Sequence, residues 1–434
     1  MKKVSCILFS LVLGFSIIQA QTKTLKKSPA LVEASAESVG MSTERIARID
    51  TMFAQAVKGG NIPGVVALIA RNGKIVFWKA YGMADNQSQK DLKRDDIFRI
   101  ASQTKAITST AVMMLWEEGK FQLDDPISTY IPEFKNPKVL NNFRYSDTSY
   151  TTTPAKSEIT IRQLLTHTSG IGYGMIDGDE RIKMIYQKAG ITDAFTTKDL
   201  KIGDNIKKLA KLPLHHQPGE KYTYGESLDV LGYFIEIISG MPFDVFLKTR
   251  IFDPLGMNDT RFYLPDNKAG RLVAVQQKNK NGEWERMTAN AQFDPDYPVK
   301  GAKTFFAGGA GLSSTAKDYA TFLQMYLNGG EYNGVRLLSR TTVELVMADQ
   351  NLKVWDKSAD NHLGLAFSVE NQGGQDKGAK GSIGTFGWGG YFNTQYFADP
   401  KEKVIGIIMK QTQGPVNDET GWKFRQMIWQ TIDD

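Results

Sequence analysis

The sequence predicts an α+β fold: one antiparallel sheet assembled from the N- and C-terminal segments and flanked by helices, beside an inserted, mostly helical lobe. Three observations predict it. Apolar runs of strand length lie near both ends of the chain, a helix apolar nearly all round begins at Ser102, and helical patterns alternate with long polar loops from about 120 to 300. The expected division is an α/β lobe over about 41–100 and 300–434 and a helical lobe over about 101–299, with the cleft between them. At roughly 150 residues per domain, 434 residues would allow about three domains, although one catalytic unit of two interleaved lobes also reaches this length.

Each element has its own signal. Lys2 and Lys3 precede an apolar run from Val4 to Ile18, and Ile18-Gln19-Ala20 offers a cleavage point, so residues 1–20 read as a signal peptide and the protein as exported, periplasmic or secreted. Residues 21–40 read as a leader segment. Ser42 and Glu44, with apolar spacing through Ile46, Ile49, Met52 and Phe53, predict an amphipathic helix ending at Gly59-Gly60. Val65 to Arg71 and Ile75 to Tyr81, joined by Asn72-Gly73, predict a tight hairpin, because both central residues of a I′ turn need positive φ. Ser102–Gly119 is the buried helix. Asn141–Lys156, Thr192–Asp204 and Gln276–Lys300 read as loops. Strands return at Leu363–Val369, Gly387–Ala398 and Val404–Lys410, followed by a terminal helix near Trp422–Ile432.

Composition excludes several function classes. With 41% hydrophobic, 11% aromatic and 23% charged residues, the chain can bury a large core. The one cysteine, Cys6, lies inside the signal, which removes thiol catalysis, thiolate zinc sites and disulfides from the mature chain. Without Lys2 and Lys3, 51 Lys and Arg face 47 Asp and Glu, a mature net charge of +4. That charge is mild and spread along the chain, so no nucleic-acid partner is expected. No later stretch approaches the roughly 20 apolar residues of a spanning helix. The four histidines match no zinc-binding spacing, and neither a metal nor another cofactor is expected. The pattern carries no signal of oligomeric state.

The chemistry concentrates in three places. Ser102-Gln103-Thr104-Lys105 has the S-x-x-K spacing, which on a helix puts Lys105 on the face of the Ser102 hydroxyl. Serine attacks well only when a neighbouring base takes its proton, and the start of a buried helix offers the desolvation and the positive dipole end that make a lysine such a base. Chance predicts about one or two such matches in a chain of this composition, and a second occurs at Ser314-Thr315-Ala316-Lys317. There Thr315 and Asp318 form a capping-box pattern opening a helix over Ala316–Leu327, so that match reads as helix-start grammar. Pro218–Gly232 places a polar turn with Tyr222 and Tyr224 ahead of an apolar helix. Phe386-Gly387-Trp388-Gly389-Gly390-Tyr391 opens a strand whose glycines mark a bulge or a close approach to the backbone, and an exposed strand edge beside a nucleophile is what an oxyanion hole requires.

Ser102-x-x-Lys105, Tyr224 and Trp388-Gly389-Gly390, in that order, resemble the serine β-lactamase and penicillin-binding-protein superfamily, specifically the class C-like branch that contains the family VIII carboxylesterases. Leu123-Asp124-Asp125-Pro126, Tyr130-Ile131-Pro132, the run Ile161–Gly170, Pro254–Met257 and Gly309-Ala310-Gly311-Leu312 extend the resemblance over about residues 40–430. The resemblance implies a β-lactamase/transpeptidase-like fold with Ser102 as acylated nucleophile, Lys105 as its proton acceptor and Tyr224 sharing proton transfer. It also implies an oxyanion hole made by the backbone N–H groups of Ser102 and Tyr391. Tyr222 competes locally with Tyr224, which is preferred for its spacing to the Leu228–Gly232 helix.

Two departures bear on substrate. The lactamase branch has Y-x-N where this chain has Tyr224-Gly225-Glu226, and literal Y-x-N does occur at Tyr391-Phe392-Asn393, inside the strand after the glycines. The lactamase K-T-G lysine is replaced by Trp388. Trp388, Gly389, Gly390 and Glu226 are therefore the expected substrate-binding positions, and a small neutral ester is favoured over an amide such as a β-lactam or D-alanyl peptide. Two alternatives stay open: a β-lactamase or D-alanyl-D-alanine carboxypeptidase, and a catalytically vestigial penicillin-binding-like binding or scaffold protein. His167, in a turn, reads as a structural hydrogen-bonder, and Gly225–Asp229 lacks the closing glycine of a nucleophile elbow.

Overall fold

A nine-stranded sheet organises the chain. In the computed structural model, which describes residues 22–25, 27–350, 360–378, 381–414 and 418–434, eight of its strands are β1 (Val32–Glu33), β2 (Gly64–Arg71), β3 (Lys74–Asp85), β4 (Asn361–Leu363), β5 (Ser368–Glu370), β6 (Phe386–Gly390), β7 (Thr394–Asp399) and β8 (Val404–Met409). Their order is β4-β5-β6-β7-β8-β2-β3-β1, with Lys90–Asp91 added on β3. All neighbours run antiparallel except β1 and β3. The centre, where β8 pairs with β2, thus joins the two ends of the chain, as the terminal apolar runs predict. The proposed signal, 1–20, lies outside the described residues.

Every residue of β2 and β8 is buried, because helices cover both faces of the sheet. Helix α1 (Thr43–Lys58) begins at the predicted Ser42, whose side chain accepts the Arg45 N–H. On one face it packs with the terminal helix: Phe53 meets Phe424 at 5.4 Å between ring centroids, within the cluster that also buries Val65, Ala67 and Ile69. The other face buries Val66, Leu68 and Ala70 against the main core, which contains α2 (Thr104–Glu117), α3 (Ser227–Ser239) and α4 (Ala316–Leu327). Twelve of the fourteen residues of α2 are buried, so a helix apolar all round does mark the centre of the molecule. Asn72 and Gly73 take φ of +50° and +75° in the β2–β3 turn.

Several expectations are corrected. The leader is stitched to the domain: Thr22–Lys23 pairs with Val335–Arg336, β1 joins the sheet, and the Leu31 N–H donates to the Tyr332 hydroxyl at 2.9 Å. The polar stretch 141–156 holds most of a hairpin (Lys138–Arg144 with Ser149–Pro154), mostly exposed and therefore free of the apolar alternation that marks a half-buried strand. Gln276–Lys278 and Trp284–Arg286 form a second hairpin, anchored to Thr412–Gln413. The run Leu363–Val369 is broken into β4 and β5. Gly387–Ala398 is likewise two strands, turning at Tyr391-Phe392-Asn393 with Asn393 at φ +67°. The terminal helix spans Thr420–Trp429.

Candidate active site

Ser102 occupies a one-turn 3-10 segment, Ala101–Gln103, immediately before α2. Ala101 sits at φ +42°, a left-handed conformation that costs an L-residue roughly 1–2 kcal/mol, and the surrounding bonds hold the turn in place. The Ile100 N–H donates to the Leu312 carbonyl at 3.0 Å, the Leu312 N–H to Thr104 Oγ1 at 3.1 Å, and the Tyr319 hydroxyl to the Gln103 carbonyl at 3.0 Å. Glycine at 390 is needed because a β-carbon there would lie 2.4 Å from the Ile100 carbonyl oxygen. What approaches the β6 backbone is therefore the serine turn itself, and Ser102, Gly390 and Tyr391 all line one cavity.

Lys105 and Tyr224 converge on the serine. Lys105 Nζ, 5% exposed as a residue, donates to Ser102 Oγ at 3.3 Å, to the Tyr173 hydroxyl at 3.0 Å and to the Gly309 carbonyl at 2.6 Å. The Tyr224 hydroxyl donates to Ser102 Oγ at 2.7 Å. Its ring lies 4.8 Å from that of His167, 5.6 Å from that of Tyr173 and 6.1 Å from that of Trp388, with Lys105 Nζ 4.6 Å from its centroid. Tyr222 packs edge-on against His167 at 5.9 Å and does not line the cavity. Burial, aided by the Lys105 charge, holds His167 well below the ordinary histidine range. It is a neutral wall behind Tyr224.

Ser314, the other S-x-x-K serine, is buried in bonds to Thr260 and Thr315, while Thr315 caps α4 by accepting the Asp318 N–H. The cavity in front of Ser102 has a volume of about 400 Å³ and takes its walls mainly from Met175, Ile176, Phe195, Trp388 and Tyr391. None of the described residues lining it is a lysine, arginine or histidine, and Asp193 is the one carboxylate among them. Trp388, Gly389 and Gly390 line it as expected. Asn393 lines it from the turn and donates to Thr412 Oγ1 at 2.8 Å.

Glu226 is the correction. Expected at the substrate, it is 1% exposed, does not line the cavity, and begins α3 behind it. Burial, with Asp193 and Asp229 close by, pushes its carboxyl well above the usual range, so it is a neutral acid rather than the anticipated anion. The carboxylate beside Lys105 is instead Asp229, which accepts the Gly309 N–H at 3.1 Å and is pushed up to about 6 by burial, with Lys105 opposing the rise. Tyr173 escaped the sequence reading. Its signal is weak: a tyrosine three residues past the Ile161–Gly170 run, brought to Lys105 across 68 positions.

The sequence profile named Beta-lactamase matches residues 49–427. The chain belongs to the β-lactamase family. Two relatives of this β-lactamase-family chain show its breadth. One is Esterase EstB of Burkholderia gladioli, 30% identical over 386 residues, covering 84% of this chain and 90% of that one. The other is a putative D-alanyl-D-alanine carboxypeptidase of Escherichia coli O157:H7, 28% identical over 412 residues, covering 90% and 88%. Among solved structures, EstCE1, described as a hydrolase with promiscuous acyltransferase activity, superposes with a TM-score of 0.76 at 25% identity over 89% of this chain and 98% of its own.

Proposed function

We propose that this serine hydrolase of the β-lactamase superfamily is a carboxylesterase that cleaves small neutral esters through an acyl-enzyme on Ser102. The observation that carries the reading is one oxygen, Ser102 Oγ, receiving hydrogen bonds from both Lys105 and Tyr224 at the edge of an apolar cavity with no cation among the described residues lining it. The Ser102 Oγ–H adds to the ester carbonyl, its proton passing to Lys105 once the lysine is neutral. The backbone N–H groups of Ser102 and Tyr391 are the proposed holders of the oxyanion. Tyr224 returns a proton to the departing alkoxide, and water then repeats the addition at the acyl carbonyl, with the same pair taking its proton and Ser102 leaving as the hydroxyl.

The description of EstB favours esters, and that of the Escherichia coli relative favours a D-alanyl-D-alanine carboxypeptidase as second reading. The free carboxylate of a D-alanyl peptide or a penicillin would enter a cavity that offers it Asp193 and aromatic rings, which supports the neutral substrate. The intact bonds around Ser102 argue against a vestigial site. The Lys2-Lys3 start and the Val4–Ile18 run support export to a periplasm or the exterior, and intact mass of the exported protein is expected to lack residues 1–20. The function is tested by kcat/KM on p-nitrophenyl butyrate and benzylpenicillin. The ester is expected to win by orders of magnitude, Ser102→Ala to lose about 10³-fold or more, and Ser314→Ala to stay near parental. Efficient penicillin turnover reverses the assignment, and full activity in Ser102→Ala ends it.

A further inference from the structure

The cavity wall carrying Tyr173, Met175 and Ile176 has no helix or strand of its own and hangs on carboxylates. Asp177 Oδ2 accepts the Tyr173 N–H at 2.9 Å and is held in turn by His215 Nε2 at 2.9 Å. Asp193 accepts the Gly174 N–H at 3.1 Å through one oxygen and the Met175 N–H through the other. Glu226 reaches this point from the opposite side. Its own N–H donates to the Gly172 carbonyl at 3.1 Å, and a β-carbon on the preceding Gly225 would lie 2.1 Å from the Ile171 carbonyl oxygen, so the Tyr224-Gly225-Glu226 turn presses directly on the wall's backbone. The Glu226 carboxyl is buried with Asp193 as its strongest charged neighbour, and its Oε1 has no hydrogen-bond partner among the described residues.

A buried carboxyl held beside a second carboxyl is disfavoured in its charged form. Asp193 accepts two amide N–H groups and opens onto the cavity, whereas Glu226 is buried, so the proton belongs on Glu226. We propose that Glu226 is a positioning residue: as a carboxylic acid it donates to Asp193 and locks the segment bearing Tyr173 and Met175 against Lys105 and the cavity. The inference rests on the Ser102 reading, since it gives that segment its task. The other ionisable groups facing Glu226 are Asp229 one turn on, Tyr173 and, from the helix Glu180–Ala189, Tyr186. Both tyrosines are neutral because burial raises them, and none of the three is a cation. When Glu226 loses its proton, the lock turns into a repulsion.

The test is a set of pH profiles of kcat and KM on p-nitrophenyl butyrate for the parent, Glu226→Gln and Glu226→Ala, with thermal midpoints over the same pH range. The parent is expected to lose kcat on the alkaline side as Glu226 ionises; glutamine still donates to Asp193 but does not titrate, so Glu226→Gln should keep kcat within about threefold of the parent at neutral pH and show no such alkaline fall. Glu226→Ala should lose kcat by about 10²-fold, the scale of a misplaced catalytic wall. The thermal midpoint reads the lock independently of Ser102. A group raised in the folded state stabilises fully below its ordinary value and loses that contribution as pH rises through the folded value, so the midpoint of the parent should fall with pH where that of Glu226→Gln stays flatter. Failure of the Ser102 reading appears as a parent that takes no adduct at Ser102, with these midpoints unaffected. The proposal is overturned if Glu226→Gln keeps the parental alkaline limb, if it is as impaired as Glu226→Ala, or if Glu226→Ala matches the parent. Should Glu226→Ala not fold, the Glu226→Gln profile decides.

Discussion

Replacing Tyr224 by phenylalanine removes one oxygen from the site and little else. The phenol donates to Ser102 Oγ at 2.7 Å, while its ring is gripped by His167, Tyr173 and Trp388 at centroid distances of 4.8, 5.6 and 6.1 Å. The phenylalanine ring should therefore keep its place. A positioned proton-transfer group contributes about 10²- to 10⁴-fold to rate, and each tenfold is about 1.4 kcal/mol of barrier, so kcat/KM on p-nitrophenyl butyrate should fall by about 3–5 kcal/mol in those terms. Stability should change little, because a partly exposed hydroxyl bond is worth only about 1 kcal/mol. Tyr222→Phe, which alters a ring outside the cavity lining, serves as control and should keep parental rates. The assay is steady-state kinetics at the pH optimum beside a thermal melt. A Tyr224→Phe enzyme within about threefold of the parent, or a Tyr222→Phe enzyme as impaired as Tyr224→Phe, refutes the proton-transfer role.

Two further outcomes are expected. Trp388→Lys places a cation on the cavity wall, so it should raise kcat/KM for benzylpenicillin relative to the butyrate ester, and an unchanged ratio would remove Trp388 from the substrate's reach. Asp318 is buried with bonds to the Asp259 N–H and the Thr260 hydroxyl, and burial lifts it from 3.8 to about 6. Its stabilising contribution is thus complete below about pH 4 and lost as pH rises through 6, roughly 3 kcal/mol at 1.36 kcal/mol per unit. Asp318→Asn should flatten the pH 4–6 stability slope measured by urea unfolding, and parallel slopes would contradict the shift.

Of the proposed catalytic trio, Ser102 and Lys105 were legible because they lie three residues apart at the mouth of a buried helix, while Tyr224, 122 positions away, was reached through the family resemblance. The caps at Ser42 and Thr315 and the Asn72-Gly73 turn were legible for the same reason: each is local chemistry, settled within four residues. What hid was non-local or disguised. Tyr391-Phe392-Asn393 looks like strand, yet Asn393 takes positive φ there and the strand doubles back. Two of the leader's partners, Arg336 for Thr22 and Tyr332 for Leu31, lie some 300 residues away in sequence. Nothing local marks Tyr173 or Asp193 as cavity residues, and Glu226, polar and beside the proposed catalytic Tyr224, looks like a substrate contact until its burial behind Asp193 is seen.

The central claim is that Ser102 is the nucleophile, and the direct measurement is mass spectrometry of the protein after incubation with a fluorophosphonate. The reagent should add once, on the peptide containing Ser102, at a rate that falls in Lys105→Ala and Tyr224→Phe, and the adduct should be absent from Ser102→Ala. An adduct on any other residue, Ser314 included, or a parent protein that takes no label, would contradict the account.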